Sequence, residues 1–160
     1  MIDKSIPIFK LHYDTDDRAQ LKAYLDEILD EAYLTNHSFV QRFETQFSKW
    51  QGTPFSVATS SGTAALETIL HSLPLKNKSV LLPTNIFMAA VSAIEHAGAH
   101  PVPIDMEPNG LGMDVNAILN HIDSTTGAVL VVHLGGLMAP STLALRSYLQ
   151  DKNIPLIEDC

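Results

Sequence analysis

Three short segments carry residue types that could do chemistry. Ser60-Ser61-Gly62-Thr63-Ala64 sets hydroxyls beside a glycine where a strand pattern gives way to a helix pattern. Backbone N–H groups free at a helix start suit a phosphate, although the same residues serve equally well as an ordinary turn and N-cap. The run is neither a GxGxxG fingerprint nor a Walker A loop with its lysine. Pro83-Thr84-Asn85-Ile86-Phe87 follows the next strand pattern, and Phe87 opens a helix. Its ring could stack on a planar ligand, while packing in the core is the commoner fate of a phenylalanine. Ile157-Glu158-Asp159 ends an apolar strand in two carboxylates. A partly desolvated strand-end aspartate suits a cation or a protonated ring nitrogen, and a helix N-cap is the plain alternative.

The histidines and the cysteine add less. His133 closes the most apolar strand, where it either faces a ligand or is satisfied in the core. His96 and His100 stand four apart, but Gly98 breaks the helical register and no third ligand accompanies them, so no metal site is expected. Ser61, His133 and Asp159 make a nucleophilic triad on paper only, because no GxSxG elbow is present. Cys160 is the single cysteine, which excludes an internal disulfide and a Cys/His zinc framework.

These segments need elements to position them. Asp14, with Asp17 three residues on, predicts a capped amphipathic helix over 16–33. Residues 2–13 before it read as extended. Ser38 and Gln41 predict a capping box for a second helix, whose face of Phe39, Phe43, Phe47 and Trp50 reads as core, and which Gly52 and Pro54 stop. From residue 55 the rhythm becomes strand, turn, helix. Strands are expected at 55–59, 79–82, 101–105, 128–134 and 154–159, and helices at 63–73, 86–96, 114–122 and 141–151. The first of those helices is expected to turn Leu66, Ile69 and Leu70 inward. The unbroken run AVLVVHL predicts a strand buried on both faces, and Gly135-Gly136 a turn after it. Alternating strands and helices give an α/β fold with a mostly parallel sheet and helices on both faces. In such sheets ligands bind beyond the carboxyl ends of the strands, where all three segments fall. A phosphate grip, a stacking ring and a carboxylate for a ring nitrogen together describe pyridoxal phosphate.

Length and charge bound the classes. The 160 residues suffice for one domain with a hydrophobic core. Ten Lys plus Arg against eighteen Asp plus Glu give −8, which argues against nucleic-acid binding and a polybasic membrane anchor. No apolar stretch reaches the roughly 20 residues of a membrane span. The acidic residues of the first thirty exclude a signal peptide, so a cytoplasmic protein is expected. The last strand has no following helix to cover its sheet face, so Cys160 reads as a truncation point.

The segments, in their order and spacing, resemble the DegT/DnrJ/EryC1/StrS sugar aminotransferases, fold-type I pyridoxal-phosphate enzymes of the aspartate aminotransferase superfamily. Tyr33-Leu34-Thr35, Ser61-Gly62-Thr63-Ala64-Ala65-Leu66, Leu82-Pro83-Thr84-Asn85-Ile86-Phe87, Ala97-Gly98-Ala99-His100-Pro101-Val102, Ile104-Asp105, Val132-His133-Leu134 and Ile157-Glu158-Asp159 carry the likeness. The resemblance implies that Gly62, Thr63 and Ala64 bind the cofactor phosphate, that Phe87 lies against its ring, and that Asp159 is the catalytic partner of its pyridine nitrogen. It assigns His133 no role. It implies residues 1–54 as an N-terminal extended segment with helices and 55–160 as an incomplete cofactor-binding large domain, with the small C-terminal domain absent. The Schiff-base lysine is expected in a Ser-x-x-Lys segment beyond residue 160, a place taken by none of Lys4, Lys10, Lys22, Lys49, Lys76, Lys78 or Lys152. The implied reaction moves an amino group from an amino-acid donor such as glutamate to a keto sugar, usually nucleotide-linked, in a homodimer without metal. A related sugar dehydratase with histidine for the lysine, or a non-catalytic interaction module, are the alternatives. Asn36-His37-Ser38 stand where the family often has Gly-Pro.

Overall fold

The computed structural model describes residues 10–160, so the extended reading of 2–13 lies outside the described residues as far as residue 9. The chain divides after Ala58 into two units. In the first, helix α1 (Thr15–Glu31) starts on the Asp14–Asp17 capping box that the spacing predicts. The Asp14 carboxylate accepts from the N–H groups of Asp16 and Asp17 at 2.8 Å each. Helix α2 (Ser38–Gln51) departs from its expected cap. Asn36 adopts a left-handed φ of 48°, a conformation that Asn is one of the few residues besides glycine to adopt readily. The chain then enters the helix one residue early, with His37 as N-cap and Ser38 already helical. The Ser38 hydroxyl turns back to Glu31 Oε2 instead of capping.

Within this unit Tyr24 meets Phe39 edge-on at 5.2 Å, and the Arg42 guanidinium lies over both rings. The aromatic face of α2 is not core, contrary to its sequence reading. Phe43 and Phe47 are exposed and Trp50 is 79% exposed, because no residue of α1 or α2 is buried and two helices alone cannot cover an apolar stripe. Gly52, at φ 73°, ends α2, and the following segment is tied back to it by Ser56 Oγ donating to the Glu44 carbonyl and Ala58 N–H donating to Glu44 Oε1. The expected strand at 55–59 does not form: residues there pair with no strand, and the Phe55 and Val57 side chains stand in solvent.

The second unit runs α3 (Gly62–Ser72), β1 (Ser79–Pro83), α4 (Met88–His96), β2 (His100–Ile104), α5 (Val115–His121), β3 (Thr126–Val132), a 3-10 turn at Leu134–Gly136, α6 (Pro140–Asp151) and β4 (Leu156–Asp159). All pairings are parallel in the order β2-β1-β3-β4. The pleat sorts side chains into two cores. Val80, Leu82, Ala128, Leu130 and Ile157 pack with Leu66 and Leu70 of α3 and Ala90, Ala93 and Ile94 of α4. Leu81, Ile104, Val129 and Val131 pack on the other face with Ile118 of α5 and Leu145 and Leu149 of α6. Burial on both faces is what the unbroken apolar run requires. Ile69 is 41% exposed rather than inward, since Leu66 and Leu70 already fill the single face α3 gives to the sheet.

The turn into β3 is fixed by Asp123, whose carboxyl is held below its usual range by the Thr125 hydroxyl first and then by the Thr125 and Thr126 backbone. Gly127 follows, where a Cβ would come within 2.7 Å of Leu75 Cδ2 and Lys78 Cβ. Leu75 is fully buried and has no room to yield. Gly127→Ala is therefore expected to lower unfolding free energy by about 1–3 kcal/mol in urea titration, as overpacking does; an unchanged midpoint would contradict this packing.

Candidate functional site

The candidate residues lie at the starts of α3 and α4 and at the end of β4. Ser61 has an extended backbone (φ −165°), so its hydroxyl folds over the start of α3 and accepts from the Ala64 N–H at 3.2 Å. The first helical main-chain bond runs from the Ala65 N–H to the Ser61 carbonyl. The amides of Gly62 and Thr63 are thereby the first-turn donors that helix geometry itself cannot satisfy. Gly62 has neither a left-handed φ nor a neighbour: a Cβ there would meet nothing within 4 Å. Nothing in the chain demands glycine at this position, and the open space lies beside the two free donors.

Phe87 is the N-cap of α4 and makes no side-chain cap bond. Its ring is 81% exposed, so the commoner fate of a phenylalanine, burial in the core, is not what the fold gives it. Ile86 and Ala90 on either side pack into the α3–α4 core, which leaves Phe87 turned out of it. Asp159 is half-buried at the end of β4. It shares the pleat with Ile157, which belongs to that same core, so its carboxylate faces the α3–α4 side.

The pleat separates the two carboxylates that stand together in sequence. Glu158 faces the α6 side, where Oε2 accepts from His133 Nε2 at 3.0 Å and Oε1 from Arg146 Nη2 at 3.3 Å. His133 Nδ1 accepts from the Ala139 N–H at 3.0 Å, which fixes the tautomer with the proton on Nε2. His133 is thus satisfied and turned away from the face of Asp159, and the paper triad of Ser61, His133 and Asp159 does not assemble. Its partners Ala139 and Glu158 lie 6 and 25 residues away, with no local spacing to announce them. The Cys160 thiol is pushed up from its ordinary value, by burial first and then by the carboxylates of Glu158 and Asp159.

The topology therefore places the starts of α3 and α4, with Gly62, Thr63, Ala64 and Phe87, and the end of β4, with Asp159, toward one edge of the sheet. Lys76 and Lys78 precede β1 and Lys152 precedes β4, so the three lysines of this unit sit at the opposite, amino edge. Lys78 Nζ donates there to the Ser124 carbonyl. His96 is paired with Glu67 at 2.9 Å. Among the described residues no group of three His, Cys, Asp or Glu side chains gathers as a metal site, and no helix is long and apolar enough to cross a membrane.

Known proteins are similar to this chain in sequence and fold. Residues 15–160 match the DegT/DnrJ/EryC1/StrS aminotransferase family. GDP-perosamine synthase from Vibrio cholerae is 29% identical over 157 residues, covering 97% of this chain and 41% of that protein. Among solved structures, DesV from S. venezuelae superposes with a TM-score of 0.85 at 28% identity, over 90% of this chain and 39% of that one. The protein ntda from Bacillus subtilis, with bound cofactor PMP, gives 0.84 at 28%, over 91% and 34%. The chain spans about two fifths of the length of these relatives or less. Its α/β fold is that of the fold-type I pyridoxal-phosphate enzymes.

The exposure of Phe87 makes a direct prediction. Phe87→Ala should change unfolding free energy by no more than about 0.5 kcal/mol, the range of ordinary surface substitutions. Denaturant unfolding checks it, and a loss of about 3 kcal/mol or more would return Phe87 to the core.

Proposed function

The chain belongs to the DegT/DnrJ/EryC1/StrS aminotransferase family, and from that premise we propose that it supplies the cofactor edge of a pyridoxal-phosphate transaminase acting on a keto sugar. The observation that carries the reading is the placement, toward one edge of the sheet, of an open glycine turn, an outward aromatic and a strand-end aspartate. The three fit the three parts of one ligand. The amides of Gly62 and Thr63 donate to phosphate oxygens, and the open space at Gly62 admits the group at close range. Ala64, whose amide is capped by Ser61, holds the turn in shape. Phe87 covers one face of the pyridine ring and excludes water from it. The Asp159 carboxylate accepts from the ring N–H and keeps the proton on that nitrogen. When bound, the cofactor supplies an electron sink for the carbanion formed as a Cα proton leaves, and a protonated ring nitrogen is what makes it a good one.

On this reading residues 55–160 are the cofactor-binding part and 1–54 an N-terminal segment with helices. The substrate is a nucleotide-linked keto sugar, and the amino donor is an amino acid such as glutamate. GDP-perosamine synthase supports the nucleotide-sugar class by its name. The exposed apolar residues of α1 and α2, among them Leu25, Phe43 and Trp50, support a homodimer that covers them.

Pyridoxamine 5′-phosphate, which needs no lysine, tests the cofactor assignment. Calorimetric titration is expected to detect binding that inorganic phosphate competes away, and Asp159→Asn should weaken it about tenfold, the worth of one charge-assisted hydrogen bond. Equal affinity in wild type and variant would sink the role of Asp159. Borohydride treatment with pyridoxal phosphate should leave no stoichiometric adduct on Lys76, Lys78 or Lys152, which peptide mass spectrometry reads directly.

A further inference from the structure

We infer that His133 is a positioning residue for Asp159, acting through the end of β4; the inference rests on the cofactor reading above. Every polar group of His133 is committed. Its backbone N–H donates to the Asp159 carbonyl at 2.8 Å, and Nε2–H donates to Glu158 Oε2 at 3.0 Å. Its Nδ1 is held by the Ala139 N–H, which reaches back across Gly135 and Gly136, both at positive φ. Arg146 takes the other oxygen of Glu158. Residues 158 and 159 are thus each tied to His133, one by its side chain and one by its main chain.

Among the described residues β4 is hydrogen-bonded on one side only, to β3. The imidazole is the rigid strut between the β3 exit loop and β4. It is 11% exposed, too buried for water to replace it freely. The strut works from the opposite face of the sheet, so His133 touches no ligand on the Asp159 side.

Two substitutions divide its bonds. His133→Asn keeps an acceptor near the Nδ1 position for Ala139 and loses Glu158, whereas His133→Gln keeps a donor that reaches Glu158. Pyridoxamine 5′-phosphate affinity, measured for each with Asp159 and with Asp159→Asn, reads the effect. The expected result is a loss of about three- to tenfold for His133→Asn, recovery of most of it by His133→Gln, and no further loss from His133→Asn once Asp159 is Asn. Equal losses in both backgrounds would mean a general structural role and overturn the inference, as would wild-type affinity in His133→Asn. No loss from Asp159→Asn alone, or no binding by the wild type, overturns the cofactor reading and this inference with it. Ring ¹⁵N shifts of His133 supply a readout independent of ligand: a proton on Nδ1 rather than Nε2 would also overturn it.

Discussion

The parallel sheet is buried on both sides, and the rest of the second unit follows from that constraint. Each residue of β1 and β3 must choose a face, and successive residues choose opposite ones. Leu81 and Val129 therefore serve one core while Val80, Leu82, Ala128 and Leu130 serve the other. The same alternation continues past the apolar run into the polar residues at the strand ends. There it decides which groups meet, because His133 and Glu158 fall on the α6 face and Asp159 on the face of α3 and α4.

Parallel strands also fix where chemistry can occur. Each strand rises to the same edge and each helix returns from it, so the starts of α3 and α4 lie at the edge where β4 ends. A helix start offers unsatisfied donors and a strand end offers a carboxylate, which gives the edge a positive and a negative pole. The lysines of this unit are carried to the other edge by the same connectivity. The two edges thus differ in kind: one is held by structural contacts such as Lys78 on the Ser124 carbonyl, and the other leaves groups without partners.

The first unit follows a different logic. Its helices are well capped at Asp14 and Gly52, and Arg42 binds them through Tyr24 and Phe39. Local signals of that kind specify helices without specifying what covers their apolar faces. Leu21, Leu25, Phe43 and Trp50 remain exposed, an arrangement in which helix formation and core formation are decoupled.

By itself the sequence determined the kind and order of nearly all elements, because helix periodicity, the Asp14 and Asp114 caps and the two-faced run AVLVVHL are local signals. It also put Gly62 and Phe87 at helix starts and Asp159 at a strand end, since those positions can be counted along the chain, although the strand expected before Gly62 does not form. Tertiary structure alone decided three things. Residues 55–59 form no strand, because a strand exists only through pairing with another. Phe87 is exposed, because burial depends on what neighbouring elements leave uncovered rather than on residue type. The His133 imidazole pairs with Glu158 and Ala139 rather than with the Asp159 carboxylate, because long-range side-chain hydrogen bonds depend on sheet register and on which side of the pleat each residue falls.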